Sequence, residues 1–145
     1  MATRVAPFGG ALTSAVKTLS TFQGLGLTNE LTAAIQAVGF ERPSAIQSLV
    51  IPKLLTRQSV AFAAATGSGK TLAYLLPMMQ HLKEQELARP LLRDLRGCRP
   101  QGLVLAPTRD LVSQIASVAK VALLDSSLTV LPLLSRRLPV ADMLT

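Results

Sequence analysis

The sequence predicts an α/β fold with a parallel sheet, and three observations predict it. Two short apolar runs, Val60 to Ala64 and Leu103 to Ala106, have the length of buried strands. Each is followed by a stretch with helical periodicity, giving the order strand, helix, strand, helix. A glycine-rich turn joins the first run to its helix. The chain has 145 residues, room for one domain or part of a larger one. It is 49% hydrophobic with a mean hydropathy of +0.40, which excludes intrinsic disorder for most of it. That is apolar for a complete soluble domain, as expected where sheet faces and edges await further strands.

The elements follow in order. The first carboxylate is Glu30; the preceding 29 residues carry only Arg4 and Lys17 as side-chain charges and are rich in Ser, Thr and Ala. Acid-poor and hydroxyl-rich is the composition of a mitochondrial transit peptide. The alternative is an ordinary disordered N-terminus, and residues 1–21 are assigned to such a segment. Thr28 is placed to N-cap a helix, with Glu30 facing the positive end of its dipole. Leu31, Ala34, Ile35 and Val38 mark its buried face, and Gly39 its stop. Pro43 is expected to open the next helix, and Pro52 to interrupt it or start another. After the glycine turn a helix runs from Gly69, with Leu72, Leu75, Leu76 and Met79 inward. Pro77 should bend it or loosen one turn, and His81 is expected on its surface. Glu84 to Pro100 reads as a surface loop with a basic cluster at Arg89, Arg93, Arg96 and Arg99. Pro107 ends the second strand. Leu111, Ile115, Val118 and Ala122 then mark one face of a last helix. Residues 22–124 are read as a partial nucleotide-binding domain and 125–145 as an atypical tail.

Lys and Arg number 15 against 8 acids, a net charge of +7. That excess suits a polyanionic partner, nucleic acid or nucleotide phosphate. A single cysteine, Cys98, excludes an internal disulfide framework and a cysteine-cluster zinc site. The lone His81 argues equally against a histidine metal site. Aromatics are 3% with no Trp, against an extensive base-stacking platform. No long apolar run free of charges and helix breakers is present, so no membrane span is expected.

The chemistry is carried by Ala64-Ala65-Thr66-Gly67-Ser68-Gly69-Lys70-Thr71, between a predicted strand and a predicted helix. That is the setting of a P-loop. Gly67 and Gly69 let the backbone curl so that successive N–H groups converge on phosphate oxygens. The helix beginning there adds its positive end. Lys70 reaches the β- and γ-phosphates, and the Thr71 hydroxyl is placed to ligate Mg²⁺. The generic P-loop pattern has Gly where Ala64 stands.

An Ala at that position resembles motif I of the DEAD-box RNA helicases. Two further stretches agree in order. Gly39 to Gln47, with Phe22 upstream, resembles the family's Q motif; Pro107 to Gln114 resembles motif Ia. The resemblance covers about Phe22 to Ala122. It implies an incomplete RecA-like P-loop domain with ATP and Mg²⁺ as cofactors and RNA as partner. Leu72 to Leu82 and Gly102 to Leu111 are most similar to mitochondrial members. By the resemblance, Phe40 stacks on adenine, Arg42 lies against it, and Gln47 reads it. The Gln amide offers one donor and one acceptor, matching adenine N7 and N6. Ser44, in place of the family's Thr, braces the loop, and Phe22 clamps the Q-motif helix. Ala65, Thr66, Gly67, Ser68, Gly69, Lys70 and Thr71 hold the triphosphate, Lys70 and Thr71 being the catalytic pair. Thr108 and Arg109 touch the RNA backbone without reading sequence. Asp110 replaces the usual Glu.

The 145 residues contain no Asp-Glu-Ala-Asp, no Ser-Ala-Thr and no glycine after Gly102. Without the acidic motif, nothing holds Mg²⁺ from the second side or orients water. The chain therefore reads as an amino-terminal fragment of an ATP-dependent RNA helicase, a hydrolase by family and inactive alone. The alternative is a non-catalytic nucleotide- or RNA-binding fragment that competes for a helicase's partners. A phosphotransferase of small substrates is a third reading, opposed by the Q motif. Ribonucleoprotein or ribosome-assembly complexes are the expected setting. A mitochondrial location is expected, with nucleus, nucleolus or cytoplasm as alternatives.

Overall fold

The computed structural model describes residues 3–4, 21–88, 100–123 and 128–134. The N-terminal segment 5–20, the basic cluster 89–99, Asp125 and most of the tail lie outside these. The elements are β1 (Thr3–Arg4), a 3-10 turn (Gln23–Leu25), α1 (Asn29–Ala37), α2 (Ala45–Leu55), β2 (Val60–Ala61), α3 (Lys70–Ala88) and α4 (Arg109–Ala122).

α3 is the central helix, and three hydrophobic clusters share it. Leu72 and Leu76 pack with Phe22, Leu25 and Leu27 of the 3-10 turn and its flanks, Ile35 of α1 and Ile51 of α2. Leu75 and Met79 pack with Leu31 of α1 and with Ile115, Ala119 and Leu123 on and just after α4. Ala73 packs with Ile46 and Val50 of α2, with Phe62 and Ala64 against them. The inward residues expected of α3 are thus all buried. Phe22, 1% exposed, shares its core with Ile51 of α2, as a clamp on that helix would.

Local chemistry sets the helix ends. Thr28 caps α1, its hydroxyl accepting from Leu31 N. Gly39, at φ +93°, ends it in a Schellman motif: Phe40 N donates to Ile35 O and Gly39 N to Gln36 O. α2 begins with a capping box, Ser44 and Gln47 each satisfying the other's backbone N–H. Pro43 therefore lies before the cap rather than opening the helix, because the Ser-x-x-Gln pair fixes the first turn. Pro52 does not interrupt α2. Loss of one N–H there is offset by burial of Val50 and Ile51, both fully buried. Pro77 is likewise inside an unbroken α3, buried in the core.

The sheet departs from expectation. The pairing among the described residues is a two-residue parallel contact, Thr3 opposite Val60 and Arg4 opposite Ala61. Phe62 to Ala64 and Leu103 to Ala106 are not strands. Both segments still alternate: Phe62, Ala64, Val104 and Ala106 face the helices, while Ala63, Leu103 and Leu105 are exposed. The apolar pattern places one face on the helix layer, but a ladder also needs neighbouring strands to receive its N–H and C=O groups. Leu103, Leu105, Leu131 and Leu133 are 74–85% exposed, the uncovered side of that layer.

Candidate nucleotide-binding site

The loop between the extended segment and α3 is shaped by its glycines. Gly67 and Gly69 have φ of +78° and +90°, open to glycine at little cost. Gly69 also lies close against the start of α2. A Cβ there would lie 2.5 Å from Gln47 Nε2 and 3.1 Å from Ser44 Oγ. That close approach joins the capping box of α2 to the loop. Ser44 Oγ donates to Ser68 O at 2.8 Å, and Gln47 Nε2 donates to Gly69 O at 3.1 Å. Gln47 Oε1 accepts from Ser44 N at 2.8 Å. Gln47, the expected base reader, is thus 3% exposed, with both amide atoms engaged. One Nε2 hydrogen and one Oε1 lone pair remain for a further ligand.

Lys70 opens α3, but its ammonium is turned back onto the loop. Nζ donates to Ala64 O and Ala65 O, each at 2.7 Å. The ammonium is thus held by two carbonyls of the segment that leads into the loop. Ala65, Thr66 and Gly67 are exposed, while Ser68, Gly69, Lys70 and Thr71 are half-buried. Ser68 Oγ is buried with no hydrogen-bond partner among the described residues. Thr71 stands in the first turn of α3. Burial raises the Tyr74 phenol above its usual pKa, and a side-chain hydrogen bond with Thr71 opposes the shift.

Phe40 is 42% exposed and Arg42 is exposed, both on the turn between α1 and α2. The Phe40 ring lines an apolar groove of about 200 Å³ with Ile35, Val38, Leu72, Val118 and Val121. Thr108 N-caps α4, its hydroxyl accepting from Leu111 N at 3.3 Å, and Arg109 is the first helical residue. Thr108, Arg109 and Asp110 are exposed. The structure therefore unites Ser44, Gln47 and the loop from Ala64 to Lys70. It leaves Phe40 and Arg42 on a neighbouring turn, and Thr108 and Arg109 on α4.

Several contacts around the site carry no sequence signal. His81 is not simply on the surface: Nε2 lies 3.1 Å from Leu54 O at the end of α2, and Nδ1 3.3 Å from Glu84. Gln80 accepts from Thr28 N and donates to Gly26 O. Lys83 donates to Glu30 across the same junction. Tyr74 was open to detection, since it follows Thr71 by three residues on a predicted helix.

Among the described residues no group of three or more His, Cys, Asp or Glu is placed to hold a metal, and no helix is long and apolar enough to cross a membrane. A hydroxyl oxygen such as that of Thr71, next to a glycine-rich loop at a helix start, would still suit Mg²⁺. That ion keeps several waters and takes few protein ligands together with substrate phosphates.

The DEAD/DEAH box helicase family model matches residues 44–136. The chain is 44% identical over 104 residues to DEAD-box ATP-dependent RNA helicase 39 of Arabidopsis thaliana, covering 72% of this chain and 16% of that protein. It is 44% identical over 111 residues to the probable ATP-dependent RNA helicase DDX28 of Homo sapiens, covering 73% of this chain and 20% of that one. The RNA helicase Prp28 from Chaetomium thermophilum, solved with ADP bound, aligns with a TM-score of 0.57 and 35% identity, over 70% of this chain and 23% of that one. The fold is thus that of part of a RecA-like helicase domain. The chain belongs to the DEAD/DEAH box helicase family.

Proposed function

We propose that this chain is the ATP-binding part of an ATP-dependent RNA helicase, which couples ATP hydrolysis to RNA unwinding or ribonucleoprotein remodelling. The observation that carries the reading is the wiring of Ser44 and Gln47 to the carbonyls of Ser68 and Gly69. An amide with a spare donor and acceptor beside a glycine loop at a helix start supports a nucleoside triphosphate site. Phe40 supplies a face for the adenine ring and Arg42 its other side. Gln47 contributes its remaining donor and acceptor to the base edge. Backbone N–H groups from Ala65 to Thr71 surround the phosphates, helped by the positive end of α3. Lys70 leaves the carbonyls of Ala64 and Ala65 for the β- and γ-phosphates. Thr71 would hold Mg²⁺, which when bound neutralises phosphate charge during transfer.

Thr108 and Arg109, exposed at the start of α4, contact the RNA sugar-phosphate backbone through helix N-terminus and guanidinium. RNA is the partner, within ribonucleoprotein complexes. The acid-free first 29 residues support a mitochondrial address.

Base choice tests the reading. Gln47→Ala should lower the ATP-over-GTP preference by roughly 1–3 kcal/mol, and weaken inorganic triphosphate less. Competition titrations against a fluorescent ATP analogue measure both. An unchanged ATP/GTP ratio would remove Gln47 from the base site.

A further inference from the structure

We propose that Ser44 and Gln47 are positioning residues for the anion: by holding the carbonyls of Ser68 and Gly69 on the α2 side of the loop, they turn the N–H groups of Gly69 and Lys70 to the opposite side, toward phosphate oxygens, whatever base the ligand carries. The inference rests on the nucleotide-binding reading above and deepens it. It gives Ser44 and Gln47 a part in phosphate affinity that is separate from base choice.

A trans peptide unit is planar, and its C=O and N–H point in opposite directions. The direction of one carbonyl therefore fixes that of the N–H that follows. Ser44 Oγ donates to Ser68 O at 2.8 Å, so Gly69 N–H is turned away from α2. Gln47 Nε2 donates to Gly69 O at 3.1 Å, and Ala73 N donates to the same oxygen at 3.2 Å as α3 begins. Lys70 N–H accordingly points back out of the helix start. Neither N–H donates to a backbone carbonyl among the described residues. Two successive N–H groups facing one way at a turn form an anion-binding concavity.

The two carbonyls do not depend equally on α2. Gly69 O keeps Ala73 N as a second donor, whereas Ser44 is the one donor to Ser68 O among the described residues. Ser44 is itself fixed. Its Oγ accepts from Gln47 N, and Gln47 Oε1 accepts from Ser44 N. A hydroxyl has one proton, and with a lone pair spent on the cap that proton goes to Ser68 O. Ser44 thus governs Gly69 N–H, and Gln47 supports Lys70 N–H.

The test uses inorganic triphosphate, which carries no base, titrated into the isotope-labelled 145-residue chain and followed by amide NMR spectra. In wild type the Gly69 and Lys70 amide protons should move downfield, as amides that donate to an anion do. Ser44→Gly removes the donor and keeps most of the cap, because Gly is tolerated at an N-cap. It should weaken triphosphate about three- to tenfold, the worth of one hydrogen bond. The Gly69 shift should shrink while the Lys70 shift persists. Ser44→Thr, which keeps the hydroxyl, should restore both affinity and shift. Gln47→Leu should cost about two- to threefold and act on the Lys70 shift, since Ala73 N still holds Gly69 O. Unchanged triphosphate affinity in Ser44→Gly overturns the proposal and leaves the nucleotide reading intact. So does a loss that Ser44→Thr shares, or a loss with the Gly69 shift unaltered, either of which would be helix stability alone. A wild-type chain that binds neither triphosphate nor an ATP analogue overturns both.

Discussion

Arg57 ends α2 with φ +61°, the left-handed region that β-carbons disfavour. It occupies the position after the C-cap, where Arg57 N donates to Leu54 O and Gln58 N to Lys53 O. Glycine suits that position better. Arg57→Gly should therefore stabilise the chain by about 0.5–1 kcal/mol, the relief of strain less the extra unfolded-state entropy. Urea denaturation checks this, and a lower midpoint would show that the Arg57 side chain makes a contact worth more than the strain. At the same scale, the loop glycines were legible because their chemistry is local. The turn of Lys70 onto Ala64 O and Ala65 O was not, since sequence does not say where a flexible ammonium comes to rest. The engagement of Gln47 with Gly69 O was hidden for a related reason: it depends on how two segments 22 residues apart approach.

Among elements, α2 meets the glycine loop, and its first turn is the joint. Ser44 does two things there: it caps the helix and it holds Ser68 O. Ser44→Ala should lower stability by about 1 kcal/mol through loss of the cap. It should also weaken ATP binding, since the loop carbonyl loses its donor. Thermal melts and nucleotide titration separate the effects; a melt shift with unchanged affinity would confine Ser44 to capping. The starts of α1 and α4 were readable because Thr28 and Thr108 act on N–H groups within one turn. The inner face of α3 was readable from the spacing of Leu72, Leu75, Leu76 and Met79. Pro43 and Pro52 misled because capping pairs and core burial outweigh a missing N–H. His81 and Gln80 could not be placed, because polar residues at helix spacing give no hint of which distant carbonyl they will meet.

For the whole molecule, the helix layer is built and one face of the extended layer stays open at Leu103, Leu105, Leu131 and Leu133. The two apolar runs were legible; their one-sided exposure and their pairing were not, because strand hydrogen bonds are non-local. The glycine loop does not wait for that sheet to be shaped. It is held by Ser44 and Gln47 from α2 and by the start of α3, all within the described residues. The measurement that tests this most directly is titration of a fluorescent ATP analogue against the wild-type chain and Lys70→Ala. A charge-assisted contact to phosphate is worth roughly 1.5–3 kcal/mol, offset in part by the carbonyl bonds Lys70 gives up. The account predicts binding by wild type and about tenfold weaker binding by Lys70→Ala. Equal affinities for the two forms would contradict it.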